Sequence, residues 1–303
     1  MGARRGLAAI CLGALLWGST GVAVRIISQR SGLGGAPIGC LRLTVAGLAV
    51  FAFGGRRSVA AARAAFARDS WVLLAAGAGL GGYQALYFVG VQDIGVSVST
   101  LVSLAVAPVA LTVVAAVQRR RMPGLLQVST LVAAVGGLML ISVKPGGHAG
   151  AHPAIGLIAS FAAGFGYAGT TLLMRRLARD GDPLALTGAT SAIGAVVLVP
   201  FAIAAGLYWP SDLVAGSWLL YIGVVTTVAA YGLFFAGLRT TSSETAGVLT
   251  LLEPLAAAVL AAIVLHEALS GLGIVGAGLM LAAIAGLYLR APEADAHDVA
   301  VAA

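Results

Sequence analysis

The chain has 303 residues, of which 60% are hydrophobic and 10% charged, and its mean hydropathy is +1.01. That composition leaves too little polar surface to solvate a globule of this size, so a soluble domain is excluded and function must sit within a membrane-embedded part. The net charge of +7 is sorted by position along the chain, which argues against a nucleic-acid partner.

In chain order, apolar stretches near 7–27, 37–54, 71–91, 95–117, 124–143, 153–174, 184–206, 216–238, 243–265 and 271–290 each approach the roughly 20 residues that a helix needs to cross a bilayer. The expected fold is all-α and integral to the membrane, with ten transmembrane helices. Arg4 and Arg5, the following apolar run and Gly21-Val22-Ala23 also imitate a secretory signal. The run from Leu7 to Ile27 exceeds the roughly 7 to 15 residues of a signal core, so it is read as the first crossing. The stretch Gly54 to Ser70 and the tail 291–303 are the longest aqueous segments expected, and neither is long enough to bury a core. The basic stretch from Arg56 to Arg68 reads as a cytoplasmic loop near anionic lipid.

Alternate connections differ in charge. One side collects Arg4, Arg5, Arg56, Arg57, Arg63, Arg68, Arg119, Arg120, Arg121, Arg175, Arg176, Arg179, Arg239 and Arg290, whereas the other has Arg25, Arg30 and Lys144. By the positive-inside rule both termini are expected in the cytoplasm. Arg25 and Arg175 read as interfacial anchors. Cys11 and Cys40 lie in apolar stretches without metal-ligand spacing and read as packing thiols. No Asn occurs, so there is no glycosylation sequon, and the excess of Arg over Lys fits a GC-rich bacterial genome.

The stretches fall into two sets of five, expected over 1–145 and 150–290. Trp17-Gly18-Ser19 with Arg25 matches Tyr167-Ala168-Gly169 with Arg175. Tyr87-Phe88-Val89-Gly90 matches Phe234-Phe235-Ala236-Gly237, the turn 95–100 matches 240–245, and Ala107-Pro108 matches Glu253-Pro254, all at an offset near 146 to 150 residues. A unit with an odd number of crossings is followed by a copy inserted upside down, so the expectation is an inverted repeat around a central cavity.

These residues resemble the EamA-like, ten-helix branch of the drug/metabolite transporter superfamily over nearly the whole chain. The resemblance rests on Leu16-Trp17-Gly18-Ser19, on the aromatic-rich third and eighth helices running into Ser/Thr turns, on Leu252-Glu253-Pro254, and on Leu265-His266-Glu267 followed by Gly276-Ala277. The chain departs from the family at Gln118-Arg119-Arg120, where an acid matching Glu267 often stands. The resemblance implies an exporter or importer of small solutes such as amino acids in a bacterial inner membrane, with helices 1, 3, 4, 6, 8 and 9 around the central path.

Glu253 lies about ten residues into the ninth stretch, roughly 15 Å deep by helical rise. A carboxylate there must be neutral, paired or facing water, which makes Glu253 a candidate proton carrier or substrate contact; a protonated Glu bonding a neighbouring helix is the structural alternative. Arg42, about 8 Å below the end of the second helix, either snorkels outward or reaches the cavity to clamp a substrate carboxylate or pair with Glu253. Trp17, Ser19, Tyr83, Gln84, Tyr87, Tyr167, Thr170, Thr171 and Tyr231 supply aromatic and hydrogen-bonding groups for a pocket, although belts and interhelical bonds use the same types. Pro108 and Pro254 interrupt matching helices and are hinge candidates. Gly77 and Gly81 read as a close helix contact.

His266-Glu267 lacks the second His of a zinc-protease motif, since Ser270 stands in its place, and Lys144 has no Walker A frame. Neither a metal, another cofactor nor an enzymatic activity is expected. The expected function is a secondary carrier that exports a small amphipathic metabolite by alternating access, with protons as a coupling ion. Uncoupled facilitated export fits the same residues. The rival is a non-transporting membrane scaffold or accessory subunit, which would set its polar residues on one outer face. Monomer and homodimer are both compatible with the sequence.

Overall fold

The computed structural model describes residues 3–142, 152–264 and 270–289, and all secondary structure within them is helical. The expectations at Lys144, at Leu265-His266-Glu267, at Arg290 and in the tail lie outside the described residues. Helix α1 (Ala3–Gly18) continues as α2 (Thr20–Ser31) after an interruption at Ser19. The third helix, α3 (Gly35–Arg119), has 85 residues, and at about 1.5 Å per residue it would run for roughly four times the bilayer core. It is instead folded back on itself at Gly55 (φ 53°), Asp69 (φ −154°, ψ 62°) and Gly95 (φ 78°), which leaves segments 35–54, 56–68, 70–94 and 96–119. The positive φ at Gly55 and Gly95 is open to glycine at little cost, which is why these two positions make corners.

The remaining helices are α4 (Leu125–Ser142), α5 (Pro153–Ala178), α6 (Pro183–Ala204), α7 (Leu213–Gly223), α8 (Ala230–Leu238), α9 (Ser243–Leu249), α10 (Leu252–Val264) and α11 (Gly271–Leu289). A π-turn at Val224–Ala229 joins α7 to α8. Prolines open α5 and α6, where a missing N–H is harmless, and the carboxylates of Asp182 and Asp212 accept the backbone N–H groups of Ala185 and Ala215 at the starts of α6 and α7. Among the described residues, seven helices are long and apolar enough to cross a membrane, with α3 counted once and α1–α2, α7–α8 and α9–α10 each counted as one. Their outer faces carry Leu48, Phe53, Trp71, Ile158, Val196 and Ile274 in exposed positions, an apolar surface suited to lipid.

Small residues set the helix contacts, as in membrane bundles generally. A Cβ on Gly81 would stand 2.4 Å from the Gly194 carbonyl oxygen and one on Gly77 would stand 2.5 Å from Ile193, so this pair is the close contact expected from its spacing, made against α6. Gly18 meets α10 in the same way, Gly79 and Gly166 join the 70–94 segment to α5, and Gly137 meets Gly276 between α4 and α11. A separate small core of Ala23, Ile27, Leu33, Ile38, Leu219 and Ile222 joins α2, the start of α3 and α7.

The first stretch lies within a single span, Arg4–Ser31, with a local irregularity at Ser19. Arg175, read as an anchor, also donates from Nε to the Thr241 carbonyl at 3.1 Å and ties two connections together. Two expectations are corrected. Residues 56–68 of the expected aqueous loop are helical, with Ser58 and Ala65 buried. Pro254 does not interrupt a helix interior: the ninth stretch stops at Leu249 and restarts at Leu252, so Pro254 falls in the first turn of α10 and the Thr250 carbonyl accepts the Glu253 N–H at 3.0 Å.

Candidate functional site

The polar residues singled out in the sequence converge in the middle of the bundle. Arg42 stands on the 35–54 segment and donates from Nη2 to Gln84 Oε1 at 2.6 Å. Gln84 is fixed in turn by its own Nε2, which donates to the Leu80 carbonyl one turn back at 3.0 Å. Tyr83, Gln84 and Tyr87 share the 70–94 segment, and the helical repeat carries them toward neighbouring parts of the interior. The Tyr83 hydroxyl lies 3.0 Å from that of Tyr231, and the Tyr83 ring meets the Tyr167 ring edge-on at a centroid distance of 5.3 Å. Trp17, on α1, packs its ring 4.8 Å from Tyr231 and 5.3 Å from Phe234. Five elements thus supply one aromatic and polar cluster: α1, the 35–54 and 70–94 segments, α5 and α8.

Glu253 joins the cluster electrostatically. Arg42 is a cation within electrostatic reach of its carboxyl group, and Tyr87, Tyr167 and Tyr231 lie in the field of the same carboxylate. The Tyr167 hydroxyl lies beside the Thr250 side chain, whose own hydroxyl donates to the Gly247 carbonyl at 3.0 Å, next to the gap between α9 and α10. Glu253, Arg42, Tyr83, Tyr87 and Tyr167 each keep partial exposure. Trp17 Nε1 and Arg42 Nε are buried donors without a hydrogen-bond partner. An unpaired buried donor is costly, so both nitrogens favour an acceptor from a bound solute or water.

Three helix interruptions surround this cluster. At Ser19 the hydroxyl donates to the Leu16 carbonyl at 2.7 Å and pairs with the Tyr221 hydroxyl at 2.8 Å. In the π-turn both Thr226 and Thr227 return their hydroxyls to the Ile222 carbonyl, at 2.9 and 2.8 Å, just before Tyr231. At Thr250–Leu251 the chain restarts into Glu253, and a Cβ on Gly18 would stand only 2.9 Å from the Glu253 carbonyl oxygen. Freed backbone groups at membrane depth are tolerated where protein or an internal cavity satisfies them.

Other expected site residues fall elsewhere. Thr171 bonds its own helix at the Tyr167 carbonyl, 2.9 Å away, and Thr170 is buried against Gly79. Ser19 serves the interruption and Tyr221. The Tyr87 hydroxyl pairs with Thr100 at 2.8 Å rather than with another cluster ring. Pro108 stays within a regular helix, where Thr112 Oγ1 donates to its carbonyl at 2.8 Å and Gly247 packs on its ring. Sequence reasoning missed Tyr221, Thr250, Phe234 and the π-turn. The run Val225-Thr226-Thr227 inside an apolar stretch was the one available signal. Among the described residues, no three His, Cys, Asp or Glu side chains gather as a metal site.

A lipid-covered helical bundle with polar side chains collected at its centre defines a multi-pass membrane protein of the transporter class. The EamA-like transporter family matches residues 4–143 and again 154–289, and the chain belongs to that family. An uncharacterized transporter of Bacillus subtilis, YwfM, is 29% identical over 284 residues, covering 90% of each chain. An uncharacterized inner membrane transporter of Salmonella typhimurium, YicL, is 24% identical over 271 residues, covering 86% of this chain and 88% of that one. A solved crystal structure shares the fold with a TM-score of 0.77 at 19% identity, covering 94% of this chain and 97% of that one.

Proposed function

We propose that the protein is a secondary carrier in which two inverted five-helix halves, 1–145 and 150–290, alternate access to a central cavity and export a small amphipathic metabolite such as an amino acid. The observation that carries this reading is the convergence of Arg42, Gln84, Glu253, Trp17 and the tyrosines at mid-depth, beside three helix interruptions. Broken helices at the midplane are where carriers build solute sites. A scaffold would have no use for inward polar groups, so their interior placement favours transport. The double match to one family supports a duplicated architecture, and the folded-back α3 supports ten crossings.

In this reading the Arg42 guanidinium takes a solute carboxylate, and the free Trp17 Nε1–H donates a second hydrogen bond to the solute. The aromatic faces of Trp17, Tyr83, Tyr167 and Tyr231 receive the apolar part. Glu253 carries the coupling proton, exchanging it for solute as access alternates. Pro108, and the gap before Pro254, act as hinges. The arginine-rich connections support both termini on the cytoplasmic side of a bacterial cytoplasmic membrane.

The test is counterflow in proteoliposomes with a radiolabelled panel of amino acids and related metabolites, comparing wild type with Glu253→Gln. Exchange of a solute by wild type, with loss of pH-gradient drive in the variant, is expected. Absence of exchange across the panel by folded protein would transfer weight to the scaffold.

A further inference from the structure

The arginine-rich end of the bundle holds a cleft of about 200 Å³ between the end of the 96–119 segment and the start of α4, lined by Thr112, Ala115, Arg119, Arg121, Met122 and Gln127. Arg119 is paired with the buried Glu244 of α9 yet keeps 58% of its side chain exposed, and Arg121 is exposed. Between them Arg120 adopts φ 50°, and among the described residues it is the one non-glycine at positive φ. It closes the helix in a left-handed cap, with the N–H groups of Arg120 and Arg121 donating to the Val117 and Ala116 carbonyls at 3.1 Å each. Glycine is the usual residue there, so an arginine is retained at conformational cost. Backbone closure gains nothing from its guanidinium, and the charge is the feature left to explain it.

Immediately toward the membrane, the surface turns apolar. Val113 and Val117 on one side and Leu125 and Leu126 on the other are all exposed. Two guanidinium groups, Arg119 and Arg121, line the cleft against the single carboxylate of Glu244, with Arg120 between them in sequence. Beside an apolar lipid-facing wall, this set matches an anion attached to acyl chains. Basic pockets between transmembrane helices bind anionic headgroups in this way, and guanidinium suits phosphate geometry. We propose that this cleft is a binding site for the phosphate headgroup of an anionic phospholipid, with its acyl chains along Val113, Val117 and Leu125.

The experiment uses the full-length protein purified in neutral detergent. Phosphatidylglycerol, phosphatidylcholine, glycerol phosphate and inorganic phosphate are titrated separately, with bound lipid read by native mass spectrometry and stability by melting temperature. Saturable phosphatidylglycerol binding, about tenfold or more tighter than phosphatidylcholine, is expected. Arg120→Gly with Arg121→Gln should weaken it about tenfold, whereas Arg63→Gln on the 56–68 segment should leave it unchanged. Equal binding of the two lipids, an undiminished double variant, or saturable binding of either free phosphate would each overturn the proposal. Should the double variant not fold, Arg121→Gln alone decides, because Arg121 lines the cleft and is exposed; an affinity within twofold of wild type would count against the lipid site.

Discussion

The 70–94 and 96–119 segments run as regular helices past Tyr83 and Pro108, whereas their sequence counterparts in the second family-matched stretch are both interrupted, by the π-turn Val224–Ala229 and at Thr250–Leu251. The first helix reverses the pattern: α1 and α2 are parted at Ser19, while the matching α5 is continuous through Tyr167 and Gly169. The halves therefore share residue spacing and differ in where the backbone gives way. Proline does not decide the matter, since Pro108 leaves its helix intact and Pro254 follows a break already made at Thr250–Leu251. What the three interruptions have in common is their nearness to Glu253, Tyr231 and Trp17. In the proposed carrier, irregular backbone marks the solute site, and the continuous partners serve as its frame.

If that asymmetry carries function, the largest effect belongs to the acid that only the second stretch has. Glu253→Gln preserves shape and removes the charge, and it is expected to abolish transport driven by a pH gradient in proteoliposomes while leaving the protein folded. Full retention of gradient-driven transport would remove Glu253 from the mechanism. Next comes Arg42→Gln, which leaves Gln84 without its 2.6 Å donor and the cluster without its cation. The expected loss is about 1.5–3 kcal/mol of solute binding, roughly ten- to a hundredfold in affinity, read from substrate-induced fluorescence or counterflow KM.

The matched pair Gly18 and Ala168 tests the packing side of the same comparison. A Cβ on Gly18 would stand 2.4 Å from the Ala256 Cβ and 3.0 Å from the Ala257 nitrogen, so Gly18→Ala should cost about 1–3 kcal/mol in thermal unfolding. Ala168→Gly, in a continuous helix, should cost only about 0.5–1 kcal/mol. Equal costs would mean that α1 does not depend on its close approach to α10. For the prolines a smaller contrast is expected. Pro108→Ala returns a donor to the Leu104 carbonyl and should stabilise by about 1 kcal/mol, whereas Pro254→Ala, in a first turn, should stay within about 0.5 kcal/mol of wild type.

Positions of the apolar helices were readable in the sequence to within a few residues. The stretches expected at 124–143 and 271–290 appear as Leu125–Ser142 and Gly271–Leu289, because apolar length and flanking Pro, Gly and Arg are what a bilayer selects. The interruptions were not readable. A helix apolar on every face has no amphipathic rhythm for a break to disturb, so Ser19, Val224–Ala229 and Thr250–Leu251 left almost no trace in composition. The 56–68 helix was missed for the opposite reason: its arginines drew attention, although its run of alanines is the strongest helix-forming composition available. Glu253 and Arg42 stood out because charge at membrane depth is rare. The meetings of Arg42 with Gln84 and of Tyr167 with Thr250 join side chains from distant segments, which spacing alone does not bring together.

The smallest predicted effect concerns α2 and α7, the pieces that lie beyond the interruptions at Ser19 and Val224–Ala229 and share a core of their own. Asp212 ties them, accepting the Ala215 N–H at 2.7 Å and Arg30 Nη1 at 3.3 Å. The Ala215 N–H first, and the Arg30 guanidinium second, hold its carboxyl below the usual value of 3.8. A depressed carboxylate contributes stability that is fully present above that unfolded-state value and is lost as pH falls through the lower folded one. Acidification below about pH 4 should therefore loosen α2 and α7 while leaving α1 and α8 protected, as read by amide hydrogen exchange. Asp212→Asn keeps the cap and removes the charge, so its exchange should differ from wild type at neutral pH and converge with it in acid. Uniform loosening of all four helices would mean that the interruptions do not divide the bundle, because α1 to α2 and α7 to α8 would then respond as unbroken rods.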